Sequence, residues 1–221
     1  MFKMLSAGAV AAGVMMAGPA FATTIQFNPT ADGDVQTFGG DDVDTTDTVL
    51  SVTQSGGLDR RTIFEFNLAA IPDTATINSA SLKVTLTRFI SQVGGGNAEV
   101  DLFAYAGDGT VNIGDYSAAG TQVYDANTPS AGTGAGDMLT FAFTSVAPVQ
   151  SVLGGNLLTV RFETDSFAGI QLASLENTSY AAAELAVDYT DNTNIIPLPG
   201  ALVFALTGLA GLSAMARRKR A

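Results

Sequence analysis

The chain has 221 residues, 47% of them hydrophobic, and a formal net charge of −11 at pH 7. It contains no Cys, His or Trp. Disulfides and Ser-His-Asp or Cys-His catalysis are therefore excluded, and zinc lacks its usual ligands. Setting aside Lys3 and the four basic residues near the C-terminus, five basic residues face all 21 acidic ones, a net charge of −16. That charge repels nucleic acid and anionic surfaces, so we expect no nucleic-acid partner.

The N-terminus has the order of parts found in a secretory signal peptide. Lys3 supplies a positive start, an apolar stretch follows over Met4–Ala17, and Ala20 and Ala22 flank Phe21 in a small-x-small cleavage site. We therefore expect residues 1–22 to be removed and the mature chain to begin at Thr23.

Between the termini, apolar residues recur with the period of two that is typical of β-strands. The clearest cases are Arg61–Leu68, with Thr62, Phe64 and Phe66 on one face, and Ile77–Phe89. A short helix or crossover is predicted at Ala147–Leu153. These segments predict an all-β, antiparallel β-sandwich over residues 23–190. Further strands are predicted at Thr24–Phe27, Val49–Thr53, Glu99–Tyr105, Leu139–Thr144, Leu157–Glu163, Gly169–Ala173 and Glu184–Thr190.

The block Arg60–Leu68, followed by Ile71-Pro72 and by Ala75–Leu82, resembles the core signature of the DNRLRE-type β-sandwich domain. The closing segments Ser174–Glu176 and Leu185–Tyr189 are similar to that family as well. The resemblance implies a jelly-roll-like sandwich of the kind found in bacterial surface proteins, some of which are carbohydrate-binding modules.

An acidic segment near the start of the sandwich is a candidate calcium site. Hard oxygen ligands at close spacing are what Ca²⁺ prefers, and Gly33, Gly39 and Gly40 would let the backbone wrap an ion. The alternative is a solvated acidic loop. The carboxylates concerned are Asp32, Asp34, Asp41, Asp42, Asp44 and Asp47.

A second acidic segment, Gly107–Asp115, is similar to the second half of an EF-hand loop. Ala104 and Ala106 would then occupy positions that require carboxylates, so a Gly-Asp-Gly turn is the better interpretation.

Sugar-binding sandwiches commonly stack exposed aromatic rings on the glycan. In a chain without Trp the candidates in or beside loops are Tyr105, Tyr116, Tyr124 and Tyr180, with edge packing as the alternative for each. Arg60 and Arg61 would hold an acidic sugar, or one of them would pair with Asp59, Glu65 or Glu176. No spacing singles out the carboxylate pair that a glycosidase needs, so we expect no enzyme.

The C-terminal segment, residues 191–221, contains an uncharged run over about 197–216 that ends in Arg217–Arg220. That run is long enough to cross a membrane, with the basic end on the cytoplasmic side. The sequence Ile196-Pro197-Leu198-Pro199-Gly200 resembles the Val-Pro-Leu-Pro-Ala variant of PEP-CTERM sorting signals, with Ile for Val and Gly for Ala. An ordinary membrane anchor is the alternative.

Together these features predict a protein that is exported across the inner membrane, held there transiently and moved to the cell surface or extracellular matrix. The resemblance implies an exosortase-type protease as a processing partner and extracellular polysaccharide as an associate. We expect a structural or polysaccharide-associating role, with a dedicated carbohydrate-binding module as the alternative.

Overall fold

The computed structural model describes residues 22–37, 39–90, 99–127, 134–165 and 169–192. Within these ranges the chain is all-β, as predicted, and every strand pairing is antiparallel. One short helix, α1, spans Ala147–Ser151, and a 3₁₀ turn spans Ile113–Tyr116. The strands are β1 (Ala22–Phe27), β2 (Ala31–Gln36), β3 (Asp42–Asp44), β4 (Val49–Ser55), β5 (Leu58–Asn67), β6 (Thr76–Ile90), β7 (Glu99–Ala106), β8 (Thr121–Asn127), β9 (Met138–Ala142), β10 (Leu157–Glu163), β11 (Gly169–Ala173) and β12 (Glu184–Thr190).

The strands form one curled sheet in the order β1-β12-β6-β11-β4-β5-β10-β7-β8. β9 pairs with the other side of β6, and β2 joins β5 and carries β3. The long β6 makes the curl, because its first half pairs with β12 and β9 while its second half pairs with β11. Register shifts at Gln171/Leu172 and Asp188/Tyr189 interrupt the two ladders beside it, as bulges do where a sheet bends.

The curl encloses one hydrophobic core. Phe141 on β9 meets Phe162 on β10 edge to face, with ring centroids 5.4 Å apart, so two strands that are not paired with each other in the sheet contact each other through side chains across the curl. Phe162 also contacts Phe64 of β5 at 5.8 Å. Next to these rings, Thr144 donates from its N–H (2.7 Å) and its hydroxyl (3.0 Å) to the carbonyl of Val123 on β8. Contacts across the curl are consistent with the predicted sandwich.

The predicted alternation holds in β6, where Ala80, Leu82, Val84 and Leu86 are all buried. In β5, by contrast, both faces of the strand are buried. Thr62, Phe64 and Phe66 face the core, but Ile63 and Glu65 on the opposite face are also fully buried. The reason is that the segment after β7 folds back over this outer face.

The helix predicted at Ala147–Leu153 is confirmed as α1, which begins with Pro148 in its first turn. Gln150 fastens it to the sheet by accepting from the Ile77 N–H (2.9 Å) and donating to the Ala75 carbonyl (2.9 Å). Three strands, β2, β3 and β8, were not predicted. Among the described residues no helix has the length and apolar character to cross a membrane.

Candidate functional site

Asp32 and Asp34 of the predicted calcium segment lie in β2 and are buried, which corrects the expectation of a wrapped or solvated loop. The β2–β5 register places them opposite Phe64 and Thr62, on the inner side of the sheet. A Cβ on Gly33 would lie 2.6 Å from the Asp44 carbonyl, so this glycine serves the close approach of β3 rather than an ion.

Asp34 braces two neighbouring strands. Its carboxylate accepts from the Ser51 N–H of β4 (2.8 and 2.9 Å) and from the Thr62 hydroxyl of β5 (2.9 Å), with Arg60 Nη1 at 3.8 Å. Burial raises the pKa of Asp34 to about 7 in spite of these donors.

Asp32 is less well satisfied. Its Oδ2 accepts from the Leu175 N–H at 2.8 Å, whereas its buried Oδ1 has no hydrogen-bond partner among the described residues. Burial, with Glu176 nearby, raises its pKa to about 6. Oδ2 therefore joins β2 to the turn after β11. Oδ1 is shielded from water and accepts no hydrogen bond from the described residues in its place.

The remaining four aspartates of the segment point elsewhere. Asp44 closes a local turn by accepting from the Thr46 N–H (2.9 Å) and Thr46 hydroxyl (3.0 Å), bonds that hold its pKa below the usual range. Asp41, Asp42 and Asp47 are exposed. In the part of the chain that the structure describes, no three acidic side chains converge as a metal would require. Calcium binding stays a prediction.

The second acidic segment is a turn, as the sequence favoured. Asp108 accepts from the Thr110 N–H and hydroxyl, both at 2.9 Å, and from the Asn112 amide at 3.1 Å. Asp115 accepts from the Asn112 N–H at 2.8 Å. Gly109 has φ +87°, which explains the glycine there. Hydrogen bonds close this turn internally.

Residues 107–120, which we call the covering loop, bury a polar cluster on the outer face of β5, β10 and β7. Arg161 of β10 holds the loop from beneath by donating to the carbonyls of Asp115 (2.9 Å) and Ala118 (2.8 Å). Its guanidinium also lies 5.2 Å from the centre of the Phe103 ring. These bonds satisfy loop carbonyls that would otherwise be buried without donors.

Glu65 lies at the centre of the cluster. The register places Thr159 opposite Glu65 on one side and opposite Tyr105 on the other, and the Thr159 hydroxyl donates to Glu65 Oε1. Glu65 is fully buried, its Oε2 has no described partner, and burial raises its pKa. A Cβ at Gly107 would overlap Oε2 and crowd the Thr159 hydroxyl, so any other residue at this position of the covering loop would displace the carboxyl of Glu65.

Of the two sequence-predicted arginines, Arg61 pairs with Asp59 (3.6 Å), one of the predicted partners, and more closely with Glu163 (2.7 Å). Arg60 approaches Asp34 instead. Glu163 also accepts from Arg161 Nε at 3.2 Å, so one carboxylate joins two arginines. The side chains of Arg60 and Arg61 therefore both contact groups of this chain on neighbouring strands or in the covering loop.

The four tyrosines predicted as glycan contacts are not brought together on one face. Tyr116 lies under the Arg61 guanidinium, 4.2 Å from ring centre to Cζ, and donates to Asp59 at 2.7 Å. Tyr124 packs edge to face on Phe141 at 4.9 Å. These two rings are half-buried anchors.

The other two tyrosines are also half-buried. Tyr180 packs beside Gly136 in a turn closed by the Asn177 side chain. The Tyr105 hydroxyl donates to Asp115 at 3.0 Å, and burial, followed by the Asp115 charge, raises the pKa of this phenol.

Tyr105 is the only one of the four that lines a described cavity. This shallow cavity, of about 330 Å³, lies between the covering loop, the start of β8 and α1, and its wall includes Gly120, Thr121 and Ser151. A side chain at Gly120 would lie 3.1 Å from the Tyr105 ring, so glycine keeps that side of the ring uncovered. The cavity offers one ring edge, two hydroxyls and backbone groups.

Sequence reasoning missed three residues that organise the outer face, namely Thr159, Arg161 and Glu163, and it named Glu65 only as a candidate partner of an arginine and Asp115 only as the end of the EF-hand-like segment. Their one signal is polar alternation in β10, where Thr159, Arg161 and Glu163 occupy the face opposite Val160 and Phe162. Such alternation is equally typical of an exposed face.

Two groups of predicted residues fall at the edge of what is described. Ala22 of the cleavage site is the first residue of β1, whereas Ala20 and the sorting residues Pro197, Leu198 and Pro199 lie outside the described residues. No protein-family model matches the chain, and a search of curated proteins gives no match either. The two family resemblances therefore stay predictions.

Proposed function

We propose that this chain is a secreted, exosortase-sorted component of the cell surface or extracellular matrix, with a jelly-roll-like β-sandwich in a structural or polysaccharide-associating role. The proposed export and sorting rest on the amino-acid sequence of the two termini. The observation that supports a structural role is the use of the tyrosines, since Tyr116 and Tyr124 hold loops and strands together instead of forming a stacking platform.

The buried polar groups support the same role. Asp34 joins β2, β4 and β5, and Arg161, which pairs with Glu163, holds the covering loop on the sheet. These three side chains make their hydrogen bonds and ion pairs within the domain. An active site would instead present two carboxylates to a cleft large enough for a sugar.

A dedicated carbohydrate-binding module is the second candidate, and the cavity at Tyr105 favours it. One partly uncovered ring beside Thr121 and Ser151 has the apolar and hydroxyl character that a single sugar unit needs. A cavity of about 330 Å³ accommodates at most a short glycan, so this candidate implies weak binding per site.

The sorting part of the proposal is tested in the native host with Pro197→Ala/Pro199→Ala. An apolar anchor needs only length and flanking charge, whereas a protease needs the extended chain that the prolines impose. We expect the double variant to remain an uncleaved, membrane-retained precursor while the wild type loses its basic tail. Mass spectrometry of membrane and surface fractions measures this. If both proteins keep the basic tail in the membrane fraction, the sorting proposal is wrong and the C-terminal segment is an ordinary membrane anchor.

The choice between the two roles is tested on a glycan array with the wild type and Tyr105→Ala. A structural component shows no binding that depends on Tyr105. A signal lost in Tyr105→Ala but kept in Tyr180→Ala would identify a carbohydrate-binding module instead.

A further inference from the structure

The curled sheet has one open edge that differs from the others. β1 pairs with β12 alone among the described strands, through six consecutive residue pairs without a register shift. Ala22, Thr23, Thr24 and Gln26 are exposed and Ile25 is half-buried. The outward backbone groups of such a strand are a template for another strand.

Natural sheets guard their edges with charge, proline, bulges or covering segments. Here β3 carries Asp42 and Asp44, β8 carries Asp125, and the chain after β9 is held to β8 by the Thr144 bonds to Val123. β1 reads Ala-Thr-Thr-Ile-Gln-Phe and has no charge and no proline. It is the unguarded edge of the described sheet.

Charge decides where two copies of so acidic a chain can meet. At physiological ionic strength repulsion is screened beyond about 8 Å, so the charges next to the contact matter most. Glu184 beside β1 is bound by Lys83 Nζ (3.1 Å) and Gln26 (3.0 Å) of its own chain. Asp188 is bound by the Asn78 amide at 3.0 Å. Glu184 and Asp188 are thus already partnered within their own chain.

We propose that β1 is a homotypic pairing surface, where a second copy of this chain adds its own β1 antiparallel to the first. A two-fold axis makes the edge complementary to itself. The pairing of two β1 edges does not depend on the role of the protein, but its register rests on the proposed cleavage after Ala22.

The pleat restricts the register. Residues directly opposite each other must lie on the same face of the extended sheet, so the axis passes through a residue. A pairing centred on Ile25 uses Thr23–Phe27, which is the whole of β1 after cleavage at Ala22. Ile25 then faces its copy, Thr24 faces Gln26, and Thr23 faces Phe27. A centre at Thr24 would use only three residues of the processed strand.

The contact is small. Five residues per strand bury less than the roughly 1,000 Å² of a stable interface, so the dimer is weak in dilute solution and favoured where copies are crowded. A covalent trap is therefore the suitable assay, and the chain offers it because it has no cysteine of its own.

The experiment uses the exported chain, with Thr23 verified by mass spectrometry as its first residue, in mild detergent and with copper phenanthroline as the oxidant. In the proposed register Ile25→Cys meets its own copy, within the Cα separation of 4.4–6.8 Å that a disulfide allows. Thr23→Cys is the matched control, since it lies on the same strand and face but about 13 Å along the strand from its copy. We expect disulfide dimer from Ile25→Cys to exceed that from Thr23→Cys by about tenfold.

A second pair of variants guards against misfolding of Ile25→Cys, which circular dichroism would reveal. Thr24→Cys and Gln26→Cys are exposed and should give the mixed dimer when combined. Equal cross-linking of Ile25→Cys and Thr23→Cys would indicate random collision and overturn the proposal. Absence of a disulfide dimer at millimolar concentration would also overturn the proposal. It would mean that β1 does not pair with a second copy, or that other residues of the same chain cover its edge.

Discussion

Replacing Phe162 by alanine tests whether the curled sheet closes on one core. Phe162 is fully buried and meets Phe64 at 5.8 Å and Phe141 at 5.4 Å, both edge to face. Loss of a buried phenylalanine costs ~3–5 kcal/mol through lost burial and the cavity left behind. For a folded unit of this size that corresponds to a fall in Tm of roughly 6–20 °C.

A double-mutant cycle separates contact across the curl from burial alone. Phe162→Ala and Phe141→Ala are measured singly and together by urea denaturation, and we expect a coupling free energy of ~0.5–1.5 kcal/mol. Met138→Ala is the control, because this side chain is 63% exposed and should change stability by less than ~0.5 kcal/mol. A loss below ~1 kcal/mol for Phe162→Ala, or no coupling to Phe141, would refute the closed core.

The remaining predictions concern charge and ligands. Asp32 and Asp34 have folded-state pKa values of about 6 and about 7 against an ordinary 3.8, so the folded chain holds more protons between about pH 4 and pH 7. The free energy of unfolding should therefore fall as pH rises through that window, by an amount on the order of 2–4 kcal/mol. The Asp34→Asn variant should lose less stability between pH 5 and pH 8 than the wild type, whereas Asp41→Asn should lose as much as the wild type. Denaturant titrations that give the same change in the free energy of unfolding between pH 5 and pH 8 for all three proteins would contradict this. Arg161→Met should release the covering loop by removing charge-assisted bonds worth ~1.5–3 kcal/mol each, seen as faster amide exchange over residues 113–120 than in Lys83→Met. If the acidic segment binds calcium, millimolar Ca²⁺ should raise the Tm by mass action on the folded state, and an unchanged Tm with calcium or chelator would remove the site.

The sequence by itself was sufficient for the fold class and for many of the elements. The bounds of β10, β11 and β12 agree with the strands predicted at Leu157–Glu163, Gly169–Ala173 and Glu184–Thr190. Alternation with a period of two is a local property of the chain, and it survives whatever the rest of the fold does. The same applies to the short helix, which Pro148 starts.

β2 could not be predicted in this way. Its sequence, Ala-Asp-Gly-Asp-Val-Gln, has a strand breaker and two charges, and local propensity favours a loop. It is a strand because β5 offers it a ladder, and because Ser51, Thr62 and Leu175 supply donors for the two carboxylates. Those partners are distant in sequence.

The candidate site depended still more on tertiary structure. Polar alternation in β5 and β10 is the same for a face that meets water and for one that lies under residues 107–120. Only the folded chain decides that Glu65 is buried, that Tyr116 and Tyr124 are anchors, and that Tyr105 alone of the four tyrosines lines a described cavity. The period of two in the sequence predicts which side chains share a face of a strand. Whether that face is buried depends on loops from distant parts of the chain, which pack over it only in the folded structure.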